Sequence, residues 1–367
     1  MEEDSNKRCG INHVKNTCAT MVVWTFWKLC VGYSCSSFPL STVISVKAAS
    51  IQVDDIALMQ NTAAGGWMYH TRAPSVQKPV VGGCDYAGVV KACGPDCTKL
   101  KVGDRVCGIM KPAEHQAGTW AEQTFAPEKD VVLIANDEMS FVDAAGVQMG
   151  ALVSNDMIKH AKKKLDKGGC RSLVVGASGA IGLVLLQTLK QYNRHVTAVC
   201  SGGNAEKCTN MGANEIIDYT VKPFGDQLVA QKKDKFDVVF DLVGGKVVST
   251  QAKSIMKKGA IFVTAVGGKQ YMAMDRVLSC GEFCGACCGM VCLPCTSCCR
   301  SYSYVMSQGA YPPMKEEIWT PLVVESGARA SIAEEVPFVE APLRKAMTRV
   351  FTHHAGGRVV INLENRE

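Results

Sequence analysis

The stretch that decides the fold is Val174–Gly182, with the sequence VVGASGAIG. It ends a short apolar run and leads into Ile181–Leu189, where apolar residues recur at the spacing of one helix face. Small residues at the turn let a ligand approach the backbone, and the first turn of a helix offers free N–H groups and a positive dipole end to an anion. The stretch therefore predicts a strand, a phosphate-binding turn and a helix. The alternative is a tight turn that binds nothing.

The same alternation of strand and helix continues along the chain. Continuous apolar strands separated by helices indicate a parallel sheet that is covered on both faces. We therefore predict a doubly wound α/β domain with its ligand, a dinucleotide, at the carboxyl ends of the strands. The predicted strands are Ser172–Val175, His195–Val199, Glu215–Ile217, Phe236–Leu242 and Ala260–Ala265, with a helix at Ala205–Met211.

The sequence from Ser41 to about Gly150 has a different pattern. Short strands at close spacing, separated by turn residues, predict a β-rich, barrel-like domain. A last strand, Arg358–Leu363, has no helix after it and is expected to return to this domain. We place the first domain at 1–148, completed by about 322–367, and the dinucleotide domain at 149–321. The predicted strands of the first domain include Val43–Val46, Val89–Val90, Val106–Ile109 and Val131–Ile134.

Length and composition limit the class of protein. The chain has 367 residues, 47% of them hydrophobic and 20% charged, which is enough for two ordinary globular domains. The net charge of +6 is spread along the chain, and Lys162–Lys164 and Lys232–Lys233 fit solvated helix faces, so no nucleic-acid partner is expected. Met21–Leu29 is apolar but too short to span a bilayer and is predicted to be a buried strand. The acidic start argues against a transit peptide, so we expect a cytoplasmic protein.

The residues after the second strand of the dinucleotide domain bear on the choice of cofactor. A site for NAD usually has a carboxylate there, which accepts a hydrogen bond from the ribose 2′-hydroxyl. This chain has Cys200–Asn204, with the sequence CSGGN, and no acid before Glu206. Ser201 and Lys207 could donate to a 2′-phosphate, so the sequence favours NADPH. The alternative for Lys207 is a solvated helix residue.

With these residues in place, the chain resembles the medium-chain dehydrogenase/reductase superfamily, in particular its zinc-free, quinone-oxidoreductase-like (zeta-crystallin-like) branch. The resemblance implies a GroES-like barrel beside a Rossmann domain, with the active site in the cleft between them. The matching signatures are Lys47–Ile51, Gly83–Val90, Lys101–Val106, Gly118–Glu122, Gly176–Gly182, Met211–Tyr219 and Phe236–Gly245. From the turn, the second strand and the resemblance together, the candidate cofactor residues are Gly176, Ser178, Gly179, Ala180, Ile181, Gly182, Ser201, Lys207, Tyr219, Val243, Gly244, Val266 and Gly267.

Zinc ligands of the zinc-dependent relatives are replaced in this chain. A catalytic zinc needs three protein ligands and an open position. The resemblance places Gln52 where those relatives have a cysteine and Cys84 where they have a histidine, and no third ligand is evident at 147–152. The four close cysteines of the structural zinc lobe are also missing from the first domain. We therefore expect no metal.

Without a metal, the expected chemistry is hydride transfer to a quinone or an α,β-unsaturated carbonyl, a small-molecule substrate. The developing oxyanion then needs only hydrogen-bond donors and solvent. Gln52, where relatives usually have Asn, could donate to that oxygen; the alternative is a polar residue that caps a loop. Asp55 is the second candidate, and it more readily orders this loop than moves protons. Relatives often have Thr at the position of Leu152, so this leucine bears on the substrate range. Tyr69 and His70 fall in a variable loop that could reach the cleft.

A cluster of eight cysteines falls within Cys280–Cys299. The C-x-x-C spacings of this cluster suit a metal site. Its apolar neighbours suit S-palmitoylation, which would give peripheral membrane association. The third interpretation is an insertion whose thiols stay reduced. Two further functions stay open beside the NADPH-dependent reductase: an enoyl-thioester reductase, and a non-catalytic NADPH-binding scaffold at a membrane. A homodimer through the edge of the dinucleotide domain is the oligomer that the resemblance suggests.

Overall fold

A computed structural model describes residues 40–53, 55, 81–110, 118–134, 139–192, 195–232, 235–266, 301–307 and 313–364. Some of the predictions fall on other residues and lie outside the described part of the chain. They are the strand at Met21–Leu29, the loop residues Tyr69 and His70, the cofactor residue Gly267 and the cysteine cluster Cys280–Cys299.

The first of two sheets forms the β-rich domain. Its strand order is β12-β13-β1-β2-β3-β5, and β4 pairs with β1. β13 pairs antiparallel with β1, with Ser50 opposite Val360, which confirms that the C-terminal strand returns to the first domain. The strands are β1 (Ser41–Ile51), β2 (Asp85–Cys93), β3 (Arg105–Ile109), β4 (Gln123–Pro127), β5 (Val131–Leu133), β12 (Ile332–Pro337) and β13 (Arg358–Asn362).

The second sheet is parallel, as its apolar strands predict. Its order, β11-β10-β9-β6-β7-β8, corresponds to the 3-2-1-4-5-6 arrangement of a dinucleotide-binding sheet. Each predicted strand is present, although β10 begins four residues before Ala260. The strands are β6 (Arg171–Val175), β7 (His195–Cys200), β8 (Glu215–Asp218), β9 (Phe236–Asp241), β10 (Met256–Thr264) and β11 (Tyr302–Met306).

The helices that cover and connect the sheets include the predicted helix after the glycine turn. It begins one residue earlier, at Ala180, and ends at Gln191. The helices are α1 (Phe141–Leu165), α2 (Ala180–Gln191), α3 (Ala205–Asn210), α4 (Phe224–Ala230), α5 (Gly245–Ile255), α6 (Glu316–Trp319) and α7 (Glu340–Phe351); short 3₁₀ turns lie at Glu128–Asp130 and Gly202–Asn204, and a π-helical turn at Thr320–Glu325.

α1 runs without a break past residue 148, the predicted end of the first domain. Its N-cap is Ser140, whose hydroxyl accepts from the Asp143 N–H at 3.0 Å. Toward the first domain, Gln148 Nε2 donates to the backbone oxygen of Tyr86 at 2.9 Å. Toward the second, a Cβ on Gly150 would lie 2.7 Å from Val184 of α2, so the two helices pack closely. α1 therefore connects the two cores.

Candidate functional site

The predicted phosphate-binding turn lies between β6 and α2. Gly176 has a φ of +81°, a backbone conformation that glycine adopts without strain. A Cβ on Gly182 would lie 2.5 Å from the backbone oxygens of Gly176 and Ala177, so only hydrogen fits where α2 meets the turn. α2 has Gly179 as its N-cap and no side chain caps it there. The N–H groups of its first turn are therefore suited to an anion.

This turn lies at the topological switch point of the parallel sheet. β6 and β9 are neighbours, and the strand order reverses between them. Ligands of doubly wound sheets bind in the crevice outside the strand ends at such a point. Val243, which follows β9, has its Cγ2 2.9 Å from where a Cβ of Gly176 would be. The structure thus brings the predicted residues Val243 and Gly244 beside the glycine turn.

Asp241, the last residue of β9, holds these loops together, and sequence reasoning missed it. One carboxylate oxygen accepts from the N–H groups of Val243 at 3.0 Å and Gly244 at 2.8 Å. The other accepts from Thr264 Oγ1 at 2.9 Å, and that hydroxyl accepts in turn from the Val266 N–H at 3.2 Å. Burial raises the pKa of Asp241 despite these hydrogen bonds. An acid that follows the apolar run Val238–Phe240 at the end of the strand is the sequence signal that could have revealed this role.

At the end of β7 lie the residues that were predicted to select the cofactor. Ser201 Oγ accepts from Asn204 Nδ2 at 2.9 Å. Lys207 Nζ donates to the backbone oxygen of Gly356 at 2.8 Å, which links α3 to the segment before β13. An ammonium group has three N–H donors, so two others could serve a phosphate. Tyr219 follows the neighbouring strand; its N–H donates to the Cys200 oxygen at 3.2 Å, and its side chain is half exposed.

A carboxylate on the next strand also reaches this corner. Asp218 pairs with Cys200 across β7 and β8, and its Oδ2 lies 2.5 Å from where a Cβ of Gly202 would be. Thr220 donates to Oδ1 from both its N–H, at 2.8 Å, and its hydroxyl, at 2.6 Å. These hydrogen bonds from Thr220 lower the pKa of Asp218, which favours its ionised form. Asp218 was missed from the sequence, because it is distant from Ser201 in the chain and only the pairing of β7 with β8 brings it to this corner.

In the first domain, Asp55 accepts three hydrogen bonds from its own loop and a neighbouring loop. Its Oδ2 accepts from the Gln52 N–H at 2.9 Å, and its Oδ1 from the Gly83 N–H at 3.0 Å and Cys84 Sγ at 3.4 Å. Only 1% of the residue is exposed. Asp55 is thus placed as a loop organiser, and its catalytic role stays a prediction.

Gln52, the other predicted catalytic residue, contacts a second buried acid. Its Nε2 donates to Asp85 Oδ2 at 2.8 Å, and 6% of the residue is exposed. Arg358 opens the strand that pairs with β1, and its charge acts on Asp85. Burial, the largest effect, raises the pKa of Asp85, while Arg358 and the donors Ser50 and Gln52 oppose it. Asp85 lies within a signature quoted above, but nothing in the sequence joins it to Arg358.

The residues at the replaced zinc positions do not form a metal site. Gln52 presents its amide nitrogen to Asp85, and the Cys84 thiol donates to Asp55. Within the described ranges, there is no group of three or more His, Cys, Asp or Glu side chains that could hold a metal ion. The donor set at this position therefore does not fit the catalytic zinc of the zinc-dependent relatives.

A glycine turn at the switch point of a parallel sheet, joined by α1 to a β domain, is typical of a dinucleotide-dependent enzyme. Comparison with known proteins identifies its family. Residues 39–136 match the alcohol dehydrogenase GroES-like domain and residues 180–282 the zinc-binding dehydrogenase domain. The mouse protein named NAD(P)H oxidoreductase RTN4IP1, mitochondrial, is 30% identical over 353 residues, which cover 89% of this chain and 82% of the mouse protein.

One further relative and one solved structure are also similar to this chain. The tomato (Solanum lycopersicum) 2-methylene-furan-3-one reductase is 32% identical over 225 residues, 56% of this chain and 55% of that protein. The solved structure of a quinone oxidoreductase from Coxiella burnetii has a TM-score of 0.66 at 22% identity and covers 89% of this chain and 91% of its own; it shares the fold. The chain belongs to the quinone-oxidoreductase-like branch of the medium-chain dehydrogenase/reductase superfamily, and it is an NAD(P)H oxidoreductase with a GroES-like and a Rossmann domain.

The predictions on location receive less support. Among the helices that the structure describes, none is both long and apolar enough to cross a membrane. Peripheral association was predicted from Cys280–Cys299, which lies outside the described residues, and it stays a prediction. The mouse relative is named as mitochondrial, whereas we expect a cytoplasmic protein from the sequence. The cytoplasmic location therefore stays a prediction.

Proposed function

We propose that the protein is an NADPH-dependent, zinc-independent reductase that transfers a hydride to a quinone or an α,β-unsaturated carbonyl. The observation that carries the proposal is the uncapped start of α2 at Gly179, next to the Gly176 turn and the Asp241-anchored loop. Together these offer N–H donors to a pyrophosphate at the switch point of the sheet. When bound, NADPH supplies the hydride.

Ser201 and Lys207 support NADPH as the cofactor. They place a hydroxyl and an ammonium group at the end of β7, where an NAD site usually has a carboxylate. Asp218 acts in the opposite direction, because its ionised carboxylate repels a 2′-phosphate near Gly202. The preference therefore depends on the balance of one ammonium and one carboxylate group, and we propose that Lys207 with Ser201 decides it.

Gln52 supports the proposed substrate class. Reduction of an enone or a quinone places negative charge on an oxygen, which a hydrogen-bond donor stabilises in a buried site. The Gln52 amide is such a donor, and its neighbours Asp55 and Asp85 hold its backbone and its side chain. The related tomato protein, named a 2-methylene-furan-3-one reductase, carries an enone-reducing activity in its name.

The test is a turnover assay on the purified full chain. NADPH and NADH are each offered with a panel of quinones, alkenals, cyclic enones and enoyl-CoA, and the nicotinamide absorbance is followed. The proposal expects oxidation of NADPH by quinones or enones, at higher kcat/KM than with NADH, and unchanged rates after treatment with a zinc chelator. Reduction of enoyl-CoA alone would favour a thioester reductase. NADPH binding with no turnover of any acceptor would overturn the proposal.

A further inference from the structure

Asp85 is a fully buried carboxylate that accepts three hydrogen bonds from described residues. Its Oδ1 accepts from the Ser50 N–H at 2.7 Å, and its Oδ2 from Ser50 Oγ at 2.6 Å and Gln52 Nε2 at 2.8 Å. It is 0% exposed. A buried charge of this kind is costly unless it is paired and hydrogen-bonded, and Asp85 has its hydrogen bonds beside a predicted catalytic amide.

Asp85, as the acceptor of the Gln52 Nε2 hydrogen bond, fixes the orientation of the Gln52 side chain. A carboxylate can accept but cannot donate, so it selects the amide rotamer that turns the nitrogen toward it. The oxygen Oε1 then points elsewhere. Because the amide group is planar, the second N–H of Nε2 diverges from Asp85 and is free of that carboxylate. Gln52 is thereby held as a hydrogen-bond donor and cannot present its oxygen at this position.

Arg358 supplies a positive charge that opposes the effect of burial on Asp85. It opens β13, whose next residue, Val359, pairs with Ile51, so Arg358 lies level with Gln52 across the β1–β13 ladder. It is 6% exposed. Burial raises the pKa of Asp85, and the guanidinium charge of Arg358 and the three hydrogen-bond donors oppose that rise by favouring the ionised carboxylate. The charge of Arg358 thus acts on Asp85, and Asp85 in turn accepts the hydrogen bond from the Gln52 amide.

We propose that Asp85 is a positioning residue, which aims the Gln52 N–H at a substrate oxygen that gains negative charge during hydride transfer. The inference rests on the proposed function. It restricts the substrates to acceptors whose oxygen takes up charge when the neighbouring conjugated carbon or ring is reduced. In Asp85→Asn, the introduced amide keeps its oxygen toward the Ser50 N–H and so turns its nitrogen, a donor, toward Gln52. The amide of Gln52 must then flip, with little change in volume.

A double-mutant cycle on kcat tests this coupling. We expect Asp85→Asn to lower kcat by about tenfold or more in the wild-type background, with a smaller change in KM, since one lost oxyanion donor costs about 10²–10³ in kcat. In a Gln52→Ala background, the same substitution should change kcat by less than about twofold. An equal loss in both backgrounds would show that Asp85 does not act through Gln52 and would overturn the proposal.

A second readout does not require turnover. In protein labelled with ¹⁵N-glutamine, the Gln52 side-chain amide is assigned by its disappearance in Gln52→Ala. One of its two protons should resonate downfield in the wild type and move upfield in Asp85→Asn; an unchanged pair contradicts the proposal. If the wild type binds NADPH but reduces no acceptor, the proposed function fails while this spectrum still tests the positioning. Should Asp85→Asn not fold, Ser50→Ala, which removes one donor to Asp85, must shift the same signal or the proposal falls.

Discussion

Replacement of two glycines of the phosphate-binding turn by alanine separates folding from cofactor binding. In Gly182→Ala the new Cβ would lie 2.5 Å from two backbone oxygens, and neither can move without parting α2 from the turn. Overpacking of this kind costs about 1–3 kcal/mol. At roughly 2–4 °C per kcal/mol for a domain of 150–250 residues, the melting temperature should fall by about 2–12 °C.

In Gly179→Ala the nearest heavy atom to the new Cβ, the Gly176 oxygen, lies 3.4 Å away, and the φ of −73° suits alanine. We therefore expect a melting temperature within about 2 °C of the wild type, since the substitution meets no clash. Its methyl group, however, enters the space at the start of α2 that we assign to the pyrophosphate. The Kd for NADPH should rise by about tenfold or more, which is at least about 1.4 kcal/mol.

Differential scanning calorimetry and fluorescence titration of NADPH measure the two effects on the same preparations. A Gly179→Ala variant that folds and binds NADPH as tightly as the wild type would refute the placement of the pyrophosphate. A Gly182→Ala variant that melts with the wild type would refute the close contact between α2 and the turn.

Three further predictions concern acidic side chains and the groups that they contact. Ser201→Asp should shift the ratio of kcat/KM values toward NADH and Asp218→Asn toward NADPH, because each changes the charge that a 2′-phosphate meets; unchanged ratios contradict the proposed roles of this corner. Asp241→Asn removes an acceptor from the N–H groups of Val243 and Gly244 or from Thr264, so we expect a loss of about 1–3 kcal/mol in denaturant unfolding and weaker NADPH binding. Burial raises the pKa of Glu128, but hydrogen bonds from the backbone N–H groups of Thr98, Lys99 and Leu100 lower it by more. The pKa of Glu128 therefore lies below the usual 4.5. The stabilisation by Glu128 is therefore present above pH 4.5 and disappears as the pH falls through its lower folded-state pKa. Glu128→Gln should be about 1 kcal/mol less stable at pH 7 and should approach the wild type in acid; a constant difference would contradict this.

The parts of the fold that could be predicted from the sequence are those whose information is local. The strands of the parallel sheet contain short apolar runs whose side chains are mostly buried, and each of the predicted strands is present. Edge strands carry weaker signals. β12, with the sequence IAEEVP, lies at the end of its sheet and carries two adjacent glutamates, and it was missed. β4 has five residues, QTFAP, too few to establish an alternation, and it was missed as well.

The candidate site follows the same rule. The glycine turn is contiguous in sequence and was predicted with its neighbours. Other features of the site join residues that are distant in the chain. They are the approach of Asp218 to Gly202, the position of Arg358 level with Gln52, and the hydrogen bond from Lys207 to Gly356. Strand register sets these contacts, and a single sequence does not specify register between strands that are far apart. Asp241 was missed for a different reason, because its role depends on loops that fold back onto it.

Direct transfer of a hydride from NADPH to carbon is the step on which the proposed function rests, and isotope transfer tests it. The full chain is incubated with NADPH that carries deuterium at C4 of the nicotinamide, in each of its two stereochemical forms, and with an enone from the panel. We expect one form, and not the other, to deliver deuterium to the carbon β to the carbonyl, as seen by mass spectrometry and NMR of the product. Oxidation of NADPH without deuterium in the product from either form would contradict direct transfer.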